Sequence, residues 1–244
     1  MTAADDAEPQ FQTSAAEQEY LESLFWLYEA GFPMTGANLA RAMQLSAPTV
    51  SEMLRRLERG GYIARPDGRA IEFTDAGRRH AESVVGRHRM IERFLTDVVG
   101  VPWDEVHEEA EKLEYAMTPR FEAYVRGAVG DAATCPHGHP IKVHDRIDGV
   151  PLADCAVGAN VTILRLENEA EDLLHYLMDA GVEPGIEGRV ASNDGEELRL
   201  ETGRGTSVLT FSVAETVSVT ADPSPPARKA LPEQLVLGRE RYGR

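Results

Sequence analysis

The sequence predicts a mainly α-helical protein with a smaller β region at its C-terminal end. Apolar residues recur at helical spacing through most of residues 14–129. From Gly158 onward the pattern changes to short strand-like segments at close spacing, which is typical of a small β-barrel. A helix, a turn, a second helix and a hairpin succeed one another between Thr35 and Thr74. This order predicts a winged helix-turn-helix domain, a form that reads DNA in the major groove.

The candidate DNA-reading module begins with two short helices. Thr35 and Ser46 each precede a helical pattern and can cap the two helices with their hydroxyl groups. Pro48 falls in the first turn of the second helix, where its missing N–H costs nothing. Apolar residues at three- and four-residue spacing form the core stripe of that helix: Val50, Met53, Leu54 and Leu57. The other face carries Thr49, Ser51, Glu52, Arg55, Arg56 and Arg59.

A hairpin follows, because residues 62–65 and 70–73 alternate in polarity around the turn sequence Pro66-Asp67-Gly68-Arg69. An ordinary pair of helices with a hairpin would show much the same pattern, so charge is the deciding observation. The chain carries a net charge of −16, yet arginines outnumber acidic residues between Thr35 and Arg79. A locally basic module on an acidic protein is the footprint expected of a DNA-backbone binder.

Length and composition limit the remaining possibilities. A chain of 244 residues can form two or three small domains. No apolar run reaches the length of a membrane span, and the first residues lack a signal-peptide pattern, so we expect a cytoplasmic protein without a membrane partner. Two cysteines do not make a disulfide framework.

The predicted organisation has six parts along the chain. Helices are expected at 14–30, 75–99, 104–116, 120–129 and 171–181, and strands at 159–166, 186–191, 197–201, 207–212 and 216–220. The parts are a disordered N-terminus at 1–12, the winged helix-turn-helix domain at 13–76, a helical dimerisation and metal-binding domain at 77–140, a linker at 141–157, the β domain at 158–221 and a tail at 222–244.

Histidine and glutamate recur on the helices at metal-ligand spacing. His107, Glu111 and Glu114 lie on one helix face, and His88 with Glu92 and Glu19 with Glu22 form similar pairs on other helices. Each pair alone is more simply a solvated helix face. Several carboxylates brought together inside a bundle, however, repel one another unless a divalent cation neutralises them. The pattern therefore indicates a metal switch beside a DNA-binding module.

These residues bring out a resemblance to a known family. The segments AEQEYLESLFWLYE, SAPTVSEMLRRLERGGYI, TDAGRRHAESVVGRHRMIERFLTDVVG, VHEEAEKLEYAM and CPHGHPI resemble the diphtheria toxin repressor and manganese transport regulator family of metal-dependent repressors. The segment DLLHYLMDAGVEPGIEGRV looks like the SH3-like, FeoA-type domain that ends many members. The resemblance implies a homodimer that binds a double-stranded DNA operator when a metal corepressor is present, and so controls metal uptake.

The resemblance also implies ligands. The primary site would use Glu19, Glu22, His88, Glu111 and Glu114. A second site would use His88, Glu92, His107 and an acidic residue of the β domain, for which Glu169, Glu171 and Asp172 are the candidates. DNA contacts would come from Ser46, Pro48, Thr49, Ser51 and Arg55, with Arg69 on the backbone.

Two departures from the family bear on the metal. Iron-type members usually have Met and Cys where this chain has Glu19 and Glu111, and these oxygen donors favour Mn²⁺ as first choice and Fe²⁺ as second. Tyr115 stands where the family has a histidine, so this phenol is the candidate ligand in that place. The alternatives are a weaker primary site, a site with fewer nitrogens, or regulation by the cluster of His88, Glu92 and His107 instead. Cys135, His137, His139 and Cys155 form an alternative zinc ligand set, although the family uses this stretch as a connection.

Three functions are weighed. A metal-dependent repressor explains both the basic module and the ligand pattern. A metal-independent winged-helix regulator, or a metal buffer, would need only one of these features. A carboxylate-bridged metal hydrolase could use the same glutamates and histidines, but the sequence has no nucleophile elbow, phosphate loop or HExxH motif. The sequence therefore predicts a regulator that is not an enzyme.

Overall fold

The computed structural model describes residues 13–223. The predicted disordered segment 1–12 lies outside the described residues, and so does the predicted tail from residue 224 onward. Within the described part every helix is too short or too polar to cross a bilayer.

The N-terminal part consists of three helices and a two-stranded hairpin. Helix α1 covers Ala15–Glu29, α2 Gly36–Ala42 and α3 Ala47–Arg59. Strand β1, Ile63–Ala64, pairs antiparallel with β2, Glu72–Phe73. Their apolar faces share one core, which includes Leu21, Leu24, Leu39, Leu54 and Leu57. The helices lie where their apolar spacing predicts them.

Local sequence explains where these elements begin. The Ser14 hydroxyl accepts from the Glu17 backbone N–H, and Glu17 in turn accepts from Ser14, which makes a capping box. Thr35 and Ser46 cap α2 and α3 as predicted. At the hairpin tip one carboxylate oxygen of Asp67 accepts the backbone N–H groups of residues 69 and 70.

A helical region follows the hairpin. Helix α4 covers Asp75–Phe94 and continues as a π-helical turn at Leu95–Val99. Helices α5 and α6 cover Val106–Glu114 and Pro119–Val129. The start of α4 packs directly on the backbone of Tyr62, where a Cβ on Gly77 would lie 1.7 Å from a carbonyl oxygen. Glycine at this position therefore permits the close packing of α4 on the N-terminal part.

The C-terminal part is a six-stranded antiparallel sheet in the order β3-β8-β4-β5-β6-β7. Its strands are β3 Val150–Pro151, β4 Asn160–Leu166, β5 Glu187–Asn193, β6 Glu197–Thr202, β7 Gly205–Thr210 and β8 Val217–Asp222. Helix α7, Glu171–Asp179, and the short α8, Phe211–Ala214, accompany the sheet. Leu174 and Leu177 of α7 are buried in its core.

The region predicted as an irregular linker differs from that expectation in its second half. Val150 pairs with Val219, so β3 belongs to the sheet. Leu152 and Cys155 are buried in the sheet core. A strand with only two paired residues is too short to show an alternating pattern in the sequence. The strand predicted at 207–212 ends at Thr210, whose hydroxyl caps α8.

Buried polar contacts join the helical part to the sheet. Arg89 of α4 donates to Glu29 at 2.6 Å and to the Pro140 carbonyl at 2.9 Å. Arg146 lies 3.2 Å from Glu29 and 3.0 Å from Glu167. The Trp26 indole donates to the Glu167 carbonyl at 3.1 Å. These contacts bring the loop after β4 against α1 and α4.

The segment between α6 and the sheet forms a buried turn. The backbone N–H of Cys135 donates to the His139 carbonyl, and the backbone N–H of Leu166 donates to the His137 carbonyl. Gly138 has a φ of +90°, and a Cβ there would lie 1.9 Å from the Leu164 carbonyl oxygen. Only glycine permits this approach, so the turn is held between α4 and β4.

Candidate metal centre

The site is built around two residues of α4 that lie one turn apart. His88 and Glu92 face the same side of the helix, and Glu92 has no solvent-exposed surface. The His88 Nε2 lies 3.1 Å from Glu92 Oε1. Side chains from α1, α5, the Cys135–His139 turn and the β4–α7 loop converge on this pair. Within the described residues this gives three overlapping groups, in each of which the ligand atoms lie within 4.8 Å of one another.

The first group, at the α1 end of the site, consists of Glu22, His88 and Glu114. His88 Nδ1 lies 3.1 Å from Glu114 Oε2 and 3.7 Å from Glu22 Oε1. Glu19 and Glu111 line the same cavity. Four of the five side chains predicted for the primary site, Glu19, Glu22, His88 and Glu111, therefore line one cavity, and the fifth, Glu114, contacts His88.

The second group consists of His88, Glu92, His107 and Glu169. His107 Nδ1 lies 3.1 Å from Glu92 Oε1 and 2.7 Å from Glu169 Oε2. Glu169 follows β4, so the C-terminal part of the chain contributes a carboxylate to a site on helices. Of the three acidic candidates there, Glu169 lies in the group, whereas Glu171 and Asp172 are exposed on the first turn of α7.

The third group, Glu92, Cys135, His137 and Glu169, takes two residues from the buried turn. His137 Nδ1 lies 3.2 Å from Glu92 Oε1 but makes no hydrogen bond there. His139 lies beside the group, its Nε2 3.3 Å from Glu169 and 3.0 Å from the Leu166 carbonyl. The ligand set for zinc inferred from the sequence is thus half assembled, since Cys155 lies in the sheet core and outside the described groups.

The buried polar atoms of the centre are incompletely satisfied. Four of them have no hydrogen-bond partner among residues 13–223: Glu92 Oε2, Glu114 Oε1, His137 Nδ1 and His139 Nδ1. An unpaired buried polar atom is costly, and an isolated buried charge more so. A divalent cation would satisfy such atoms, so the donor set fits a metal ion. Nitrogen, thiol and carboxylate donors suit first-row transition metals.

Electrostatics in the centre show what a cation would replace. Burial lowers the pKa of His88, but the carboxylates of Glu22 and Glu92 outweigh it and hold that pKa well above the ordinary value. Burial also lowers the pKa of His137, but the carboxylates of Glu92 and Glu169 outweigh this effect, so the pKa is raised well above the ordinary value. Protonated imidazoles therefore offset the carboxylates, and metal binding would displace their protons.

The acidic groups respond in opposite directions according to their partners. Burial raises the pKa of Glu22 to about 8 against the opposing effect of His88, although 22% of the side chain stays exposed. Burial favours a higher pKa for Glu169 as well, but nearby His137 and His107 outweigh it and lower the pKa to about 2. Burial raises the pKa of the Cys135 thiol to about 12. The thiol is therefore neutral until a cation draws off its proton.

Tyr115, which follows Glu114 at the end of α5, is 38% exposed. Burial, followed by the carboxylates of Glu114 and Glu22, raises its pKa above the ordinary value. The phenol therefore stays neutral beside the first group. A neutral phenol is a poorer ligand for a transition metal than an imidazole.

Cys135 and His137 enter the centre although the sequence pattern alone gave them less weight than the helical histidines and glutamates. The motif CPHGH itself was the available signal, but a loop has no helical spacing to indicate which way its side chains point. Their burial at 0% exposure follows from the packing of the turn between α4 and β4.

The residues predicted to contact DNA lie together on the surface. Ser46, Pro48, Thr49 and Arg55 are exposed at the start and along one face of α3, and Ser51 is half-buried. Arg69 is exposed at the hairpin tip. The Thr49 hydroxyl lies 2.7 Å from that of Ser46. The first turn of α3 is thus accessible while its apolar stripe faces the core.

The helical module and the buried ligand groups define a metal-responsive DNA-binding regulator, and comparisons with known proteins give the family. Residues 12–70 match the iron dependent repressor N-terminal DNA binding domain, and residues 74–142 match the iron dependent repressor metal binding and dimerisation domain. Residues 150–221 match the FeoA domain. The last match begins at β3, as the sheet does.

Individual relatives agree with these matches. The chain is 32% identical over 192 residues to the iron-dependent repressor IdeR of Mycobacterium tuberculosis, covering 72% of this chain and 84% of that protein. It is 29% identical to the diphtheria toxin repressor of Corynebacterium diphtheriae, covering 78% and 90% of the two chains. A manganese-dependent transcriptional repressor solved with manganese superposes with a TM-score of 0.75 at 30% identity, covering 84% and 99%. The chain therefore belongs to the family of metal-dependent transcriptional repressors, which are not enzymes.

Proposed function

We propose that this protein is a homodimeric repressor whose binding to an operator requires a divalent metal corepressor. The observation that carries the proposal is the first ligand group, because it joins three elements. Glu22 belongs to α1, which packs in the core of the DNA-reading part, whereas His88 and Glu114 belong to α4 and α5. An ion bound by all three would fasten the reading part to the dimerisation helices.

The DNA-reading surface supports the same function. In a winged helix-turn-helix, α3 would enter the major groove with Ser46, Pro48, Thr49, Ser51 and Arg55 near the bases, while Arg69 in the hairpin contacts the backbone. Two such helices must stand about one helical turn of DNA apart, or a multiple of it. A metal that fixes the angle between α1 and α4 would set this spacing, so affinity for DNA would follow metal occupancy.

The dimer contact is proposed on the outer face of the helical region. Ile91, Leu95 and Val125 are buried within the protomer, whereas Val98, Val99, Phe121 and Tyr124 are exposed. Exposed apolar side chains on neighbouring elements mark an interaction surface. Their place within the matched dimerisation domain points to a second copy of this chain as the partner.

For the first group Mn²⁺ is the first choice and Fe²⁺ the second. The two carboxylates and one imidazole of this group, with the carboxylates of Glu19 and Glu111 in the adjoining cavity, form an oxygen-rich set, which suits Mn²⁺. The genes controlled would be those for uptake of the same metal, because a metal that is already abundant would then repress its own uptake. A metal-independent regulator is the alternative outcome of the experiment below.

The function can be tested by fluorescence anisotropy with operator-like DNA, titrated with and without Mn²⁺ or Fe²⁺. We expect binding only with metal, and we expect Glu114→Ala to abolish it while the dimer stays folded. Glu108→Ala is the matched control, because Glu108 lies on the same helix but is exposed beside Lys112. Equal DNA affinity with and without metal would reject the corepressor model.

A further inference from the structure

Two of the ligand groups share the same pair of carboxylates. Glu92 and Glu169 belong both to the group with His107 and to the group with Cys135 and His137. We call these the imidazole side and the thiol side. The rings of His107 and His137 have centroids 6.3 Å apart, so each group has its own imidazole.

Glu169 directs its two oxygens to different sides. Its Oε2 lies 2.7 Å from His107 Nδ1, whereas its Oε1 lies 3.6 Å from His137 Nδ1. A carboxylate that binds one ion through both oxygens would turn both toward the same donors. Oxygens that face separate donors are arranged as in a bridging carboxylate.

Glu92 stands between the two sides as well. Its Oε1 lies 3.1 Å from His107 Nδ1 and 3.2 Å from His137 Nδ1. Its Oε2 is buried without a hydrogen-bond partner in the part of the chain that the structure describes. The side chain therefore has a free oxygen in the interior after Oε1 has met its neighbours, and His137 Nδ1 is likewise unpaired. Such unpaired buried atoms call for a ligand.

The role of His88 follows from its two nitrogens. If Nδ1 binds the ion of the first group, Nε2 carries the proton and donates to Glu92 Oε1 at 3.1 Å. A metal-bound histidine commonly donates its other N–H to a carboxylate in this way. Glu92 is thereby held in place without His88 itself binding an ion on the imidazole side.

We propose that Glu92 and Glu169 bridge two divalent transition-metal ions, one bound by His107 and the other by Cys135 and His137. The thiol side offers one thiolate, one imidazole and two carboxylates, the four donors of a tetrahedral zinc-like site. The imidazole side offers three protein donors and leaves a position for water. Zn²⁺, Fe²⁺ and Co²⁺ suit both sides. The proton of Cys135 passes to solvent when the thiolate forms.

This inference rests on the proposed function, because it adds a bridged pair beside the ion of the first group. The chain offers a matched comparison, since Cys135 and Cys155 are its two cysteines and Cys155 is buried in the sheet core. The full chain is loaded with Co²⁺, and two quantities are measured: the cobalt–thiolate charge-transfer absorption and the cobalt retained per protomer.

We expect the cobalt–thiolate absorption in the natural protein and in Cys155→Ala. In Cys135→Ala this absorption should disappear, and the protein should lose about one cobalt ion per protomer. His107→Ala should keep the absorption and lose about one ion, and the double variant should lose about two. Circular dichroism checks folding, with Cys135→Ser and His107→Gln replacing any variant that unfolds.

Three outcomes would overturn the bridged pair: absence of thiolate absorption, a double variant that loses no more cobalt than either single variant, or single variants that keep the full cobalt content because one ion moves between sides. Anisotropy on the same samples separates this inference from the proposed function. Suppose that Glu114→Ala still abolishes metal-dependent DNA binding while the cobalt count shows one ion at Glu92 and Glu169. The proposed repressor function is then supported, and the bridged pair is rejected.

Discussion

His107 Nδ1 lies 2.7 Å from the carboxylate of Glu169, and this contact joins the second residue of α5 to the loop after β4. The two residues are far apart in sequence and belong to regions matched by different family models. The C-terminal sheet is therefore part of the candidate metal centre rather than a separate appendage.

Replacing Glu169 should weaken metal binding. Glu169→Gln keeps the size of the side chain but removes its charge, so ions in the shared groups lose a carboxylate. We expect at least a tenfold loss of affinity, about what supporting residues around a metal cost when changed. Isothermal titration with Mn²⁺ and Co²⁺ measures it. Glu171→Gln, two residues along and exposed, is the control; a loss of the same size there would remove the ligand assignment.

Replacing Arg55 should weaken operator binding and leave metal binding intact. Arg55 is exposed on α3 and pairs with Glu52 on the same face. Arg55→Ala should cost about 1–3 kcal/mol if the side chain reads a base, or lower the salt slope by about one if it contacts phosphate. Anisotropy at several salt concentrations distinguishes the two. Arg199→Ala on β6, which is also exposed, is the control, and unaltered operator affinity in Arg55→Ala would exclude this residue from the interface.

Tyr115→His should tighten metal binding at the first group. The neutral phenol beside Glu114 would be replaced by an imidazole, which is a better ligand for transition metals. We expect affinity to rise about tenfold or more, equivalent to ~1.4 kcal/mol. Competition with a chelator measures the change, with Tyr176→His on α7 as control. Unchanged affinity would mean that the residue after Glu114 does not reach the ion in this chain.

The buried pair of Glu29 and Arg89 should make stability depend on pH. Burial opposes ionisation of Glu29, but Arg89 outweighs it and lowers the pKa below the ordinary 4.5. Because the pKa is lowered on folding, the pair stabilises the folded state fully above pH 4.5 and loses this contribution as pH falls through the lower folded value.

Glu29→Gln checks that pair by chemical denaturation of metal-free protein. Near neutral pH the variant should be less stable by about 3 kcal/mol, because Arg89 then lacks its charged partner. The difference should shrink in acid, where Glu29 of the natural protein becomes protonated. A difference that stays constant at every pH would show that packing, rather than charge, accounts for the loss.

Much of the fold follows from local sequence. The caps Ser14, Thr35 and Ser46 and the apolar stripes place α1, α2 and α3, since a helix needs only its own spacing and a capped end. Strand β3 was missed because two paired residues carry no period, and its partner Val219 lies far along the chain.

The ligand types were also available from the sequence, but their grouping was not. Spacing puts His107, Glu111 and Glu114 on one face of α5, yet Glu114 meets His88 Nδ1 while His107 meets Glu92 and Glu169. A shared helix face does not fix which neighbour each residue reaches, because that depends on how α4 and the β4–α7 loop cross it.

The sequence by itself determined the helices, the locally basic module and the carboxylate–imidazole chemistry of this repressor, since these depend on short-range spacing and composition. Only the tertiary structure decided that Glu169 rather than Glu171 or Asp172 enters the centre, and that Cys135 and His137 join it while Cys155 does not. The reason is physical: loop side chains take their direction from packing, here from the close approach of Gly138 to the Leu164 carbonyl, which no local pattern encodes.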